Sequence, residues 1–438
     1  MLYKTRTELR QSIIILIVAF FFVTLIFLNY AYFSTRAYIY EQSIRNQFSL
    51  PPGKFLWNFP PSNYSYCNFN YGLPAKINYT RNNLKYPPQE GENSSYRVLY
   101  NAVETYLDDN VPNVTYVTHV TVDFLLFIPE IARYWDGPIS IAAFVPARDA
   151  QIFIQKITKL CFCLPQMSRV SIHLVFPVNH EPLFEEASNS SSIFNNCNIK
   201  NVFVDRLNRI ENRLFYPINV GRNAAREAAS TYYVMVTDIE LIPSKHLAMK
   251  FMQFVKGFRN NETPFVFVVP IFEINNGYKV PQNKEQLQQS VKEGVAVYFH
   301  RYVCPHCQKF PGIDVWLDTP NSDSIRPFLT VKREYPFHRW EPIFIGTKQD
   351  PVYDEALSWE GLQDKMTQML QMCLLNYNFV ILDGAFLVHW PGIKKKGQRV
   401  TEAWRTSFIK NNSKEYNHIT EQLSRVYDSN KNKKCKLQ

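Results

Sequence analysis

The sequence contains no arginine-rich patch and no recognisable nucleic-acid-binding motif, so neither DNA nor RNA is expected as a partner. It also shows no internal repeat. Its 48 Lys and Arg exceed its 38 Asp and Glu by ten, and this basic balance is compatible with an anionic ligand. With 438 residues, of which 46% are hydrophobic, the chain can form one large domain or two ordinary ones.

A long apolar run occupies residues 13–33 and begins IIILIVAFFFVTLIFL. About 20 apolar residues can cross roughly 30 Å of hydrocarbon as a helix. Lys4, Arg6 and Arg10 precede the run, which favours a cytosolic N-terminus. A cleaved signal peptide is the alternative, but its apolar region is typically about 7–15 residues long and small residues follow it. The sequence therefore predicts a cytosolic tail over residues 1–12 and a transmembrane signal anchor over residues 13–33.

Cysteine is absent before this predicted anchor. All eight cysteines follow it: Cys67, Cys161, Cys163, Cys197, Cys304, Cys307, Cys373 and Cys435. Asn-x-Ser/Thr sequons also follow it, among them Asn63, Asn78, Asn93, Asn113, Asn189 and Asn411. Disulfides and N-glycans both belong outside the cytosol, so these features favour a chain that continues in the lumen or outside the cell.

The remaining chain divides into two regions. Residues 34–95 are rich in Asn, Tyr, Pro and Ser without a sustained period of 2 or 3.6, which predicts a stem with little regular structure. Beyond them, strands are predicted at 116–122, 139–145, 170–176, 202–204, 232–236 and 265–269, and helices at 123–135, 150–160, 220–230 and about 244–258. This alternation predicts an α/β domain over residues 96–438, with a mostly parallel sheet and helices on both faces.

The stretch YYVMVTDIELIPS, residues 232–244, ends an apolar run with two acids, Asp238 and Glu240. Ligands of such sheets bind beyond the carboxyl ends of the strands, where these acids fall. Alternate residues of an extended segment point the same way, so both carboxylates can face one point. Two oxygen donors suit a Mg²⁺ or Mn²⁺ ion that also holds phosphates, whereas the alternative is a solvated acidic turn. Ser244 is a favourable N-cap for the next helix.

A second apolar run, FVILDGAFLVHWPGIKKK at residues 379–396, ends in His389 and a lysine cluster. An imidazole can be a third metal ligand, and the lysines could neutralise a diphosphate that the same metal bridges. The alternatives are a structural histidine at a strand end and a solvated lysine face.

Four segments occur in the following order: NVGRNAAREAA, VTDIELIPS, EPIFIGTKQDPVYDE and LDGAFLVHWPGIK. Together they resemble glycosyltransferase family 49, and the resemblance extends over residues 96–396. It implies a GT-A fold, a UDP-sugar donor, a glycan acceptor, Mn²⁺ (or Mg²⁺) and inversion at the anomeric carbon. With the predicted anchor, it implies a type II membrane enzyme of the Golgi with a luminal catalytic domain. The transferred group is either a hexuronosyl group, with glucuronic acid as the candidate, or a hexosyl group.

The resemblance also implies roles for individual residues. It assigns the metal to Asp238, Glu240 and His389. It assigns the nucleotide and its diphosphate to a second set: Arg222, Asn223, Arg226, Gly392, Lys394 and Lys395. The basic start of the helix that carries the arginines suits an anionic nucleotide. The alternative for these arginines is a surface ion pair with Glu227 or Asp205.

Two departures from the family pattern motivate a different function. Glu240 stands where the family has a second aspartate, and SWEGLQDK, residues 358–365, replaces its Gly-Tyr-Gly-x-Asn-Lys segment. A longer acidic side chain changes the demanding coordination of Mg²⁺-like metals. The alternative function is therefore a catalytically inactive relative that binds a glycan or assists a partner enzyme. A cell-surface adhesion protein is a third hypothesis.

An inverting transfer needs a base to deprotonate the acceptor hydroxyl. Four acids lie within the altered segment or just before it: Asp354, Glu355, Glu360 and Asp364. Asp354 and Glu360 are the favoured candidates. The alternative for each is a surface or helix-start acid.

The motif Cys304-Pro-His-Cys307, with His300 nearby, invites a zinc interpretation. It provides one Cys-x-x-Cys pair, whereas a structural zinc needs four ligands. A thioredoxin-like role lacks the expected βαβ context. Disulfides are therefore expected, and Cys161 and Cys163 are too close in sequence to pair comfortably with each other.

Overall fold

The computed structural model describes residues 17–31, 61–105, 111–184, 197, 207–259, 264–322, 324–390, 392–395, 405–427 and 434–435. The chain divides into two units, Met1–Phe55 and Leu56–Gln438. The predicted domain boundaries, including the one between stem and catalytic domain at residue 96, stay predictions.

The first unit contains a helix described over residues 17–31 (α1). Among the residues that the structure describes, no helix is long and apolar enough to cross a membrane. This finding contradicts the predicted transmembrane anchor over residues 13–33, and with it the predicted single-pass location in the Golgi membrane.

The second unit contains strands and helices in alternation. Its strands are β1 (Asn68–Phe69), β2 (Leu84–Lys85), β3 (Tyr96–Glu104), β4 (Val114–Thr121), β5 (Ile139–Phe144), β6 (Val170–Pro177), β7 (Tyr233–Val236), β8 (Leu241–Pro243), β9 (Phe265–Val268), β10 (Ile271–Ile274), β11 (Ala296–Tyr298), β12 (Arg326–Val331), β13 (Phe344–Thr347), β14 (Asn378–Asp383) and β15 (Leu387–His389). Its helices are α2 (Phe127–Tyr134), α3 (Asp149–Cys163), α4 (Asn208–Glu211), α5 (Ile218–Ala228), α6 (Leu247–Gly257), α7 (Lys284–Lys292), α8 (Pro305–Gln308), α9 (Ile313–Asp318), α10 (Met366–Leu374) and α11 (Thr406–Val426). The predicted strand at 202–204 lies outside the described residues.

The main sheet has the strand order β1-β3-β6-β5-β4-β7-β13-β9-β14-β12, with β2 paired to β3. Strands β6, β5, β4 and β7 are parallel neighbours, as are β9 and β14. The antiparallel strand β13 separates these two groups, and β3 and β12 are also antiparallel to their neighbours. The α/β class is confirmed and is consistent with a GT-A fold, but the sheet is mixed rather than mostly parallel. The prediction of a mostly parallel sheet was wrong because the residue pattern of one strand does not reveal its direction relative to its neighbours.

A second sheet, ordered β11-β10-β15-β8, brings the candidate metal ligands together. The apolar run over residues 379–389 forms two strands in two sheets. The chain turns between them at Gly384, whose φ is +79°. A Cβ there would lie 2.6 Å from the carbonyl oxygen of Ser324, so glycine is required.

Helix α6 begins later than predicted. Its N-cap is His246, which has a left-handed φ of 59°. Ser244 follows the extended strand β8, and its amide donates to the carbonyl oxygen of Phe386 at 2.9 Å. The N-cap prediction for Ser244 is therefore wrong, because the second sheet holds this residue extended.

All eight cysteines form disulfides, as expected: Cys67–Cys161, Cys163–Cys197, Cys304–Cys307 and Cys373–Cys435. Cys161 and Cys163 bind distant partners rather than each other. The Cys304–Cys307 bond uses both thiolates that a zinc ion would need, so the zinc interpretation is excluded in this oxidised form.

Candidate active site

The two predicted acids occupy the turn that joins the main sheet to the second sheet. Asp238 follows β7, and Glu240 immediately precedes β8. The amide of Leu241 donates to the carbonyl oxygen of Asp238 at 3.1 Å and closes the turn. The turn therefore lies at the carboxyl end of the parallel strands β4 and β7, the edge where ligands bind in α/β sheets.

Glu240 and His389 are brought together by strand pairing. β15 runs antiparallel to β8, with His389 opposite Leu241. The amide of Trp390 donates to the carbonyl oxygen of Glu240 at 3.1 Å. His389 Nε2 then lies 3.8 Å from Glu240 Oε2, with the imidazole 3% and the carboxylate 28% exposed.

The His389 imidazole is buried without a hydrogen bond. Neither of its ring nitrogens has a partner among the described residues. A buried polar group without a partner is costly, and such exceptions often mark a site for an ion or water. An imidazole nitrogen and a carboxylate oxygen are ligands that Mn²⁺ accepts.

Three cationic or basic side chains surround Asp238. Arg222 Nη2 lies 2.8 Å from Oδ1, Lys365 Nζ lies 3.0 Å from Oδ2, and His119 Nε2 lies 3.4 Å from Oδ1. Burial by itself would raise the pKa of the Asp238 carboxyl, but Lys365, Arg222 and His119 together lower that pKa well below its usual value. Asp238 is therefore ionised at neutral pH, and both of its oxygens already contact a positive or basic group.

Arg222 reaches Asp238 because helix α5 packs closely on β4. Gly221 allows this approach, since a Cβ there would lie 3.0 Å from the Cβ of His119. The Arg222 side chain is 1% exposed and also pairs with Asp364. Its guanidinium lies 5.1 Å from the ring centroid of Tyr353. The arginine thus joins the turn after β7 to the altered segment 358–365.

The residues present fit a divalent cation. Glu240 and His389 offer ligand atoms, whereas Asp238 would have to exchange one of its cationic contacts. Among the described residues, the ligand atoms of three or more His, Cys, Asp or Glu side chains lie within 4.8 Å of one another only at Cys304, His306 and Cys307. The ligand atoms of Asp238, Glu240 and His389 are therefore farther apart than they would be around a bound ion.

Asn223 and Arg226 hold the loop that follows β13. The Asn223 side-chain amide donates to the Tyr353 carbonyl at 2.7 Å and to a Glu355 carboxylate oxygen at 2.9 Å. Arg226 donates to the carbonyls of Pro351 at 3.0 Å and Thr347 at 2.9 Å. Both side chains are buried. Their predicted role at the nucleotide stays a prediction.

The proposed diphosphate residues follow β15. Gly392 has a φ of +84°, which favours glycine and turns the chain after His389. Lys394 is half-buried, and Lys395 is exposed. Glu273 lies opposite His389 on the neighbouring strand β10, and Lys394 interacts electrostatically with its carboxylate.

The four candidate bases have different surroundings. Asp364 pairs with Arg222, and Glu355 accepts from the amides of Gln89 and Glu90 and from Asn223. Glu360 accepts from the Tyr216 amide at 3.0 Å, and its other oxygen is buried without a partner among the described residues. Asp354 lines a separate cleft of about 330 Å³ beside α10 and α11, where burial raises its pKa.

Sequence reasoning missed three side chains at this site. His119 lies on the buried strand β4, and Lys365 is the last residue of the altered segment 358–365. Glu341 opens the segment EPIFIG, and burial raises its pKa to about 7. It interacts electrostatically with Lys365 and Asp364. The signals that could have found them are the only histidine of β4, the only basic residue of SWEGLQDK and the acid that opens EPIFIG.

Comparison with known proteins agrees with the resemblance. A profile of the family described as "Glycosyl-transferase for dystroglycan" matches residues 113–428. "Beta-1,4-glucuronyltransferase 1" of Homo sapiens is 29% identical over 308 aligned residues, and the match covers 67% of this chain and 71% of that protein. Its Danio rerio counterpart is 26% identical over 342 residues, covering 73% and 78%. "Xylosyl- and glucuronyltransferase LARGE2s" of Danio rerio is 22% identical over 287 residues, covering 65% and 32%. Because the family profile spans more than half of the chain, this protein belongs to that family of glycosyltransferases.

Proposed function

We propose that the protein is an inverting, metal-dependent glycosyltransferase that moves a sugar from a UDP-sugar to a glycan. The observation that carries the proposal is the pairing of Glu240 with the buried His389. The ring nitrogens of His389 have no hydrogen-bond partner among the described residues, and the nearby Asp238 is ionised. The names of the relatives make glucuronic acid the first sugar to test.

Asp238, Glu240 and His389 would hold Mn²⁺ or Mg²⁺. When bound, the ion would supply Lewis-acid stabilisation of the diphosphate leaving group. Lys394 and Lys395 follow the metal histidine and supply positive charge for the diphosphate. Arg222 keeps Asp238 ionised and fixes its carboxylate, because a buried guanidinium has few alternative orientations.

The acceptor hydroxyl attacks the anomeric carbon while a carboxylate takes its proton and UDP leaves. Asp364 is paired with Arg222, and both Glu355 oxygens accept hydrogen bonds, whereas one Glu360 oxygen has no partner among the described residues. Glu360 is therefore the first of the proposed bases, and Asp354 stays the second candidate from the sequence. Glu341 joins them, because a carboxyl whose pKa is about 7 matches neutral pH. Substitution of each by its amide, Asp354→Asn, Glu360→Gln and Glu341→Gln, would separate the three, since loss of the base lowers kcat without weakening UDP binding.

The first experiment is calorimetric titration of UDP into the protein with and without Mn²⁺. We expect Mn²⁺-dependent binding that falls at least about tenfold in Asp238→Ala and His389→Ala. Asp314→Ala and His418→Ala are matched controls, because Asp314 has an 85% exposed side chain and His418 is exposed.

Different outcomes separate the hypotheses. Turnover of a UDP-sugar after Mn²⁺-dependent binding supports the enzyme. Binding without turnover of any UDP-sugar would favour the inactive relative that Glu240 and the altered segment 358–365 motivated. A folded protein that binds no UDP in either condition would refute the donor site.

A further inference from the structure

The Cys304–Cys307 disulfide differs from the other three in what it can contribute to the fold. The other bonds join residues 94, 34 and 62 positions apart, whereas Cys304 and Cys307 are 3 positions apart. A disulfide stabilises largely by restricting the unfolded chain, and this effect grows with the length of the closed loop. Each long-range bond also includes at least one buried cysteine, whereas Cys304 and Cys307 are both half-buried.

The loop around this disulfide is held by hydrogen bonds that do not need the S–S bond. The Cys304 amide donates to the His300 carbonyl at 2.9 Å, and the Cys307 amide donates to the Cys304 carbonyl at 3.0 Å. The Glu341 amide donates to the Cys307 carbonyl at 2.8 Å, which ties the loop to the strand region before β13. Breaking the S–S bond therefore leaves the local backbone with its partners.

A basic side chain contacts Cys304, and a second basic side chain contacts the first. His306 Nε2 lies 3.4 Å from Cys304 Sγ, and Arg339 Nη1 lies 3.3 Å from the same imidazole nitrogen. Both His306 and Arg339 are exposed. A neighbouring imidazolium or guanidinium stabilises a thiolate and makes it a better leaving group in thiol–disulfide exchange.

We propose that Cys304–Cys307 is a redox-active disulfide that exchanges with external thiols, whereas the other three disulfides are structural. The proposal does not depend on the proposed transferase function. An external thiolate attacks Cys307 Sγ, a new S–S bond forms there, and the Cys304–Cys307 bond breaks with its electron pair on Cys304. A second external thiolate then attacks the external sulfur of the mixed disulfide and releases the Cys307 thiolate. The net change reduces the protein disulfide to two thiols, which take up the protons of the two external thiols, and oxidises those thiols to one disulfide.

The test uses the full chain in glutathione buffers of graded reduced-to-oxidised ratio. Free thiols are trapped by alkylation after equilibration, and each cysteine is quantified by mass spectrometry. We expect Cys304 and Cys307 to open at a value of [GSH]²/[GSSG] at least about tenfold lower than any other pair. Far-ultraviolet circular dichroism should remain native at that point. Opening of a long-range pair first or at the same value, or unfolding when Cys304–Cys307 opens, would overturn the proposal.

His306→Ala tests the assigned stabilisation of the Cys304 thiolate, with the exposed His418→Ala as the matched control. We expect His306→Ala to raise the value of [GSH]²/[GSSG] needed for half-reduction by about three- to tenfold, because the reduced form loses its basic neighbour. Cys373–Cys435 should open at an unchanged value in both variants. An unchanged midpoint for Cys304–Cys307 in His306→Ala would overturn the role given to His306.

Discussion

Arg222 donates from Nη2 to Oδ1 of Asp238 at 2.8 Å, although the arginine side chain is only 1% exposed. The same guanidinium pairs with Asp364 through Nη1. A buried charge is tolerated when it is paired and hydrogen-bonded, and here both partners are carboxylates. The arginine therefore links the position of the candidate metal ligand to that of the altered segment 358–365.

Replacement of Arg222 by Met should destabilise the protein strongly. The change leaves Asp238 and Asp364 without their common partner, and loss of one member of a buried ion pair typically costs about 3–5 kcal/mol. Urea unfolding measures the loss. Arg148→Met is the control, because its side chain is 63% exposed and lies 3.8 Å from Glu211, a pair typically contributing about 0–1 kcal/mol. Equal losses in the two variants would contradict the importance given to the buried pair.

Replacement of Lys365 by Met should strengthen Mn²⁺ binding in the absence of nucleotide. The Lys365 ammonium lies 3.0 Å from Asp238 Oδ2 and repels an incoming cation while occupying its ligand. We expect about a tenfold gain in affinity, equivalent to ~1.4 kcal/mol, measured by electron paramagnetic resonance of free Mn²⁺. Lys348→Met is the control, since that ammonium bonds to the Glu227 carbonyl at 3.1 Å. Unchanged or weaker Mn²⁺ binding would show that the ammonium does not compete with the metal.

Replacement of Glu341 by Gln should change how stability depends on pH. Burial raises the pKa of Glu341 from 4.5 to about 7. Between these values the unfolded chain has released a proton that the folded protein retains, so the carboxyl lowers stability as pH rises. The melting temperature of Glu341→Gln minus that of the native protein should therefore increase from pH 4.5 to about pH 7. Above that pH the difference should be constant.

The matched control for this pH series is Glu421→Gln. The Glu421 side chain is 68% exposed, so Glu421→Gln removes a glutamate that lacks the burial acting on Glu341. Lys365, Asp364, Arg333 and Arg222 also act on Glu341, and their effects are already contained in its pKa of about 7. A flat difference for Glu341→Gln would contradict the raised pKa.

Replacement of Gly361 by Ala should loosen the altered segment. A Cβ at this position would overlap the side-chain amide of Asn412. That amide donates to the carbonyls of Ser358 at 2.9 Å and Leu362 at 2.8 Å, so its displacement breaks the contact between the segment and α11. Overpacking of this kind costs about 1–3 kcal/mol, measured by urea unfolding.

Gly257→Ala is the control for this substitution, because no heavy atom lies within 4 Å of the added Cβ. Its effect should lie within about 1 kcal/mol of zero and favour the helix-forming alanine. If Gly361→Ala is no more destabilising than Gly257→Ala, the overlap with Asn412 is relieved without cost.

The strands and helices around the site could be predicted because their patterns are local. The apolar runs at 139–145, 170–176 and 265–269 correspond to β5, β6 and β9. The alanine-rich helix at 220–230 corresponds to α5. β-branched runs and helical spacing depend on neighbours a few residues away, so one sequence suffices to find them. The break at Gly384 and the extended Ser244 were missed because contacts with distant strands impose them.

The sequence by itself determined the local chemistry: two acids at a strand end, a histidine at another, a basic helix and a family resemblance through residues 96–396. Only the tertiary structure decided which of these side chains meet. It placed His389 3.8 Å from Glu240 through pairing of β8 with β15, and it brought Lys365 and His119 to Asp238 from segments more than a hundred residues away. It also inserted the antiparallel β13 between the parallel strands β6, β5, β4 and β7 and the parallel pair β9 and β14. The physical reason is that local propensity fixes the elements, whereas strand order and ion pairing depend on burial and charge contributed by distant parts of the chain.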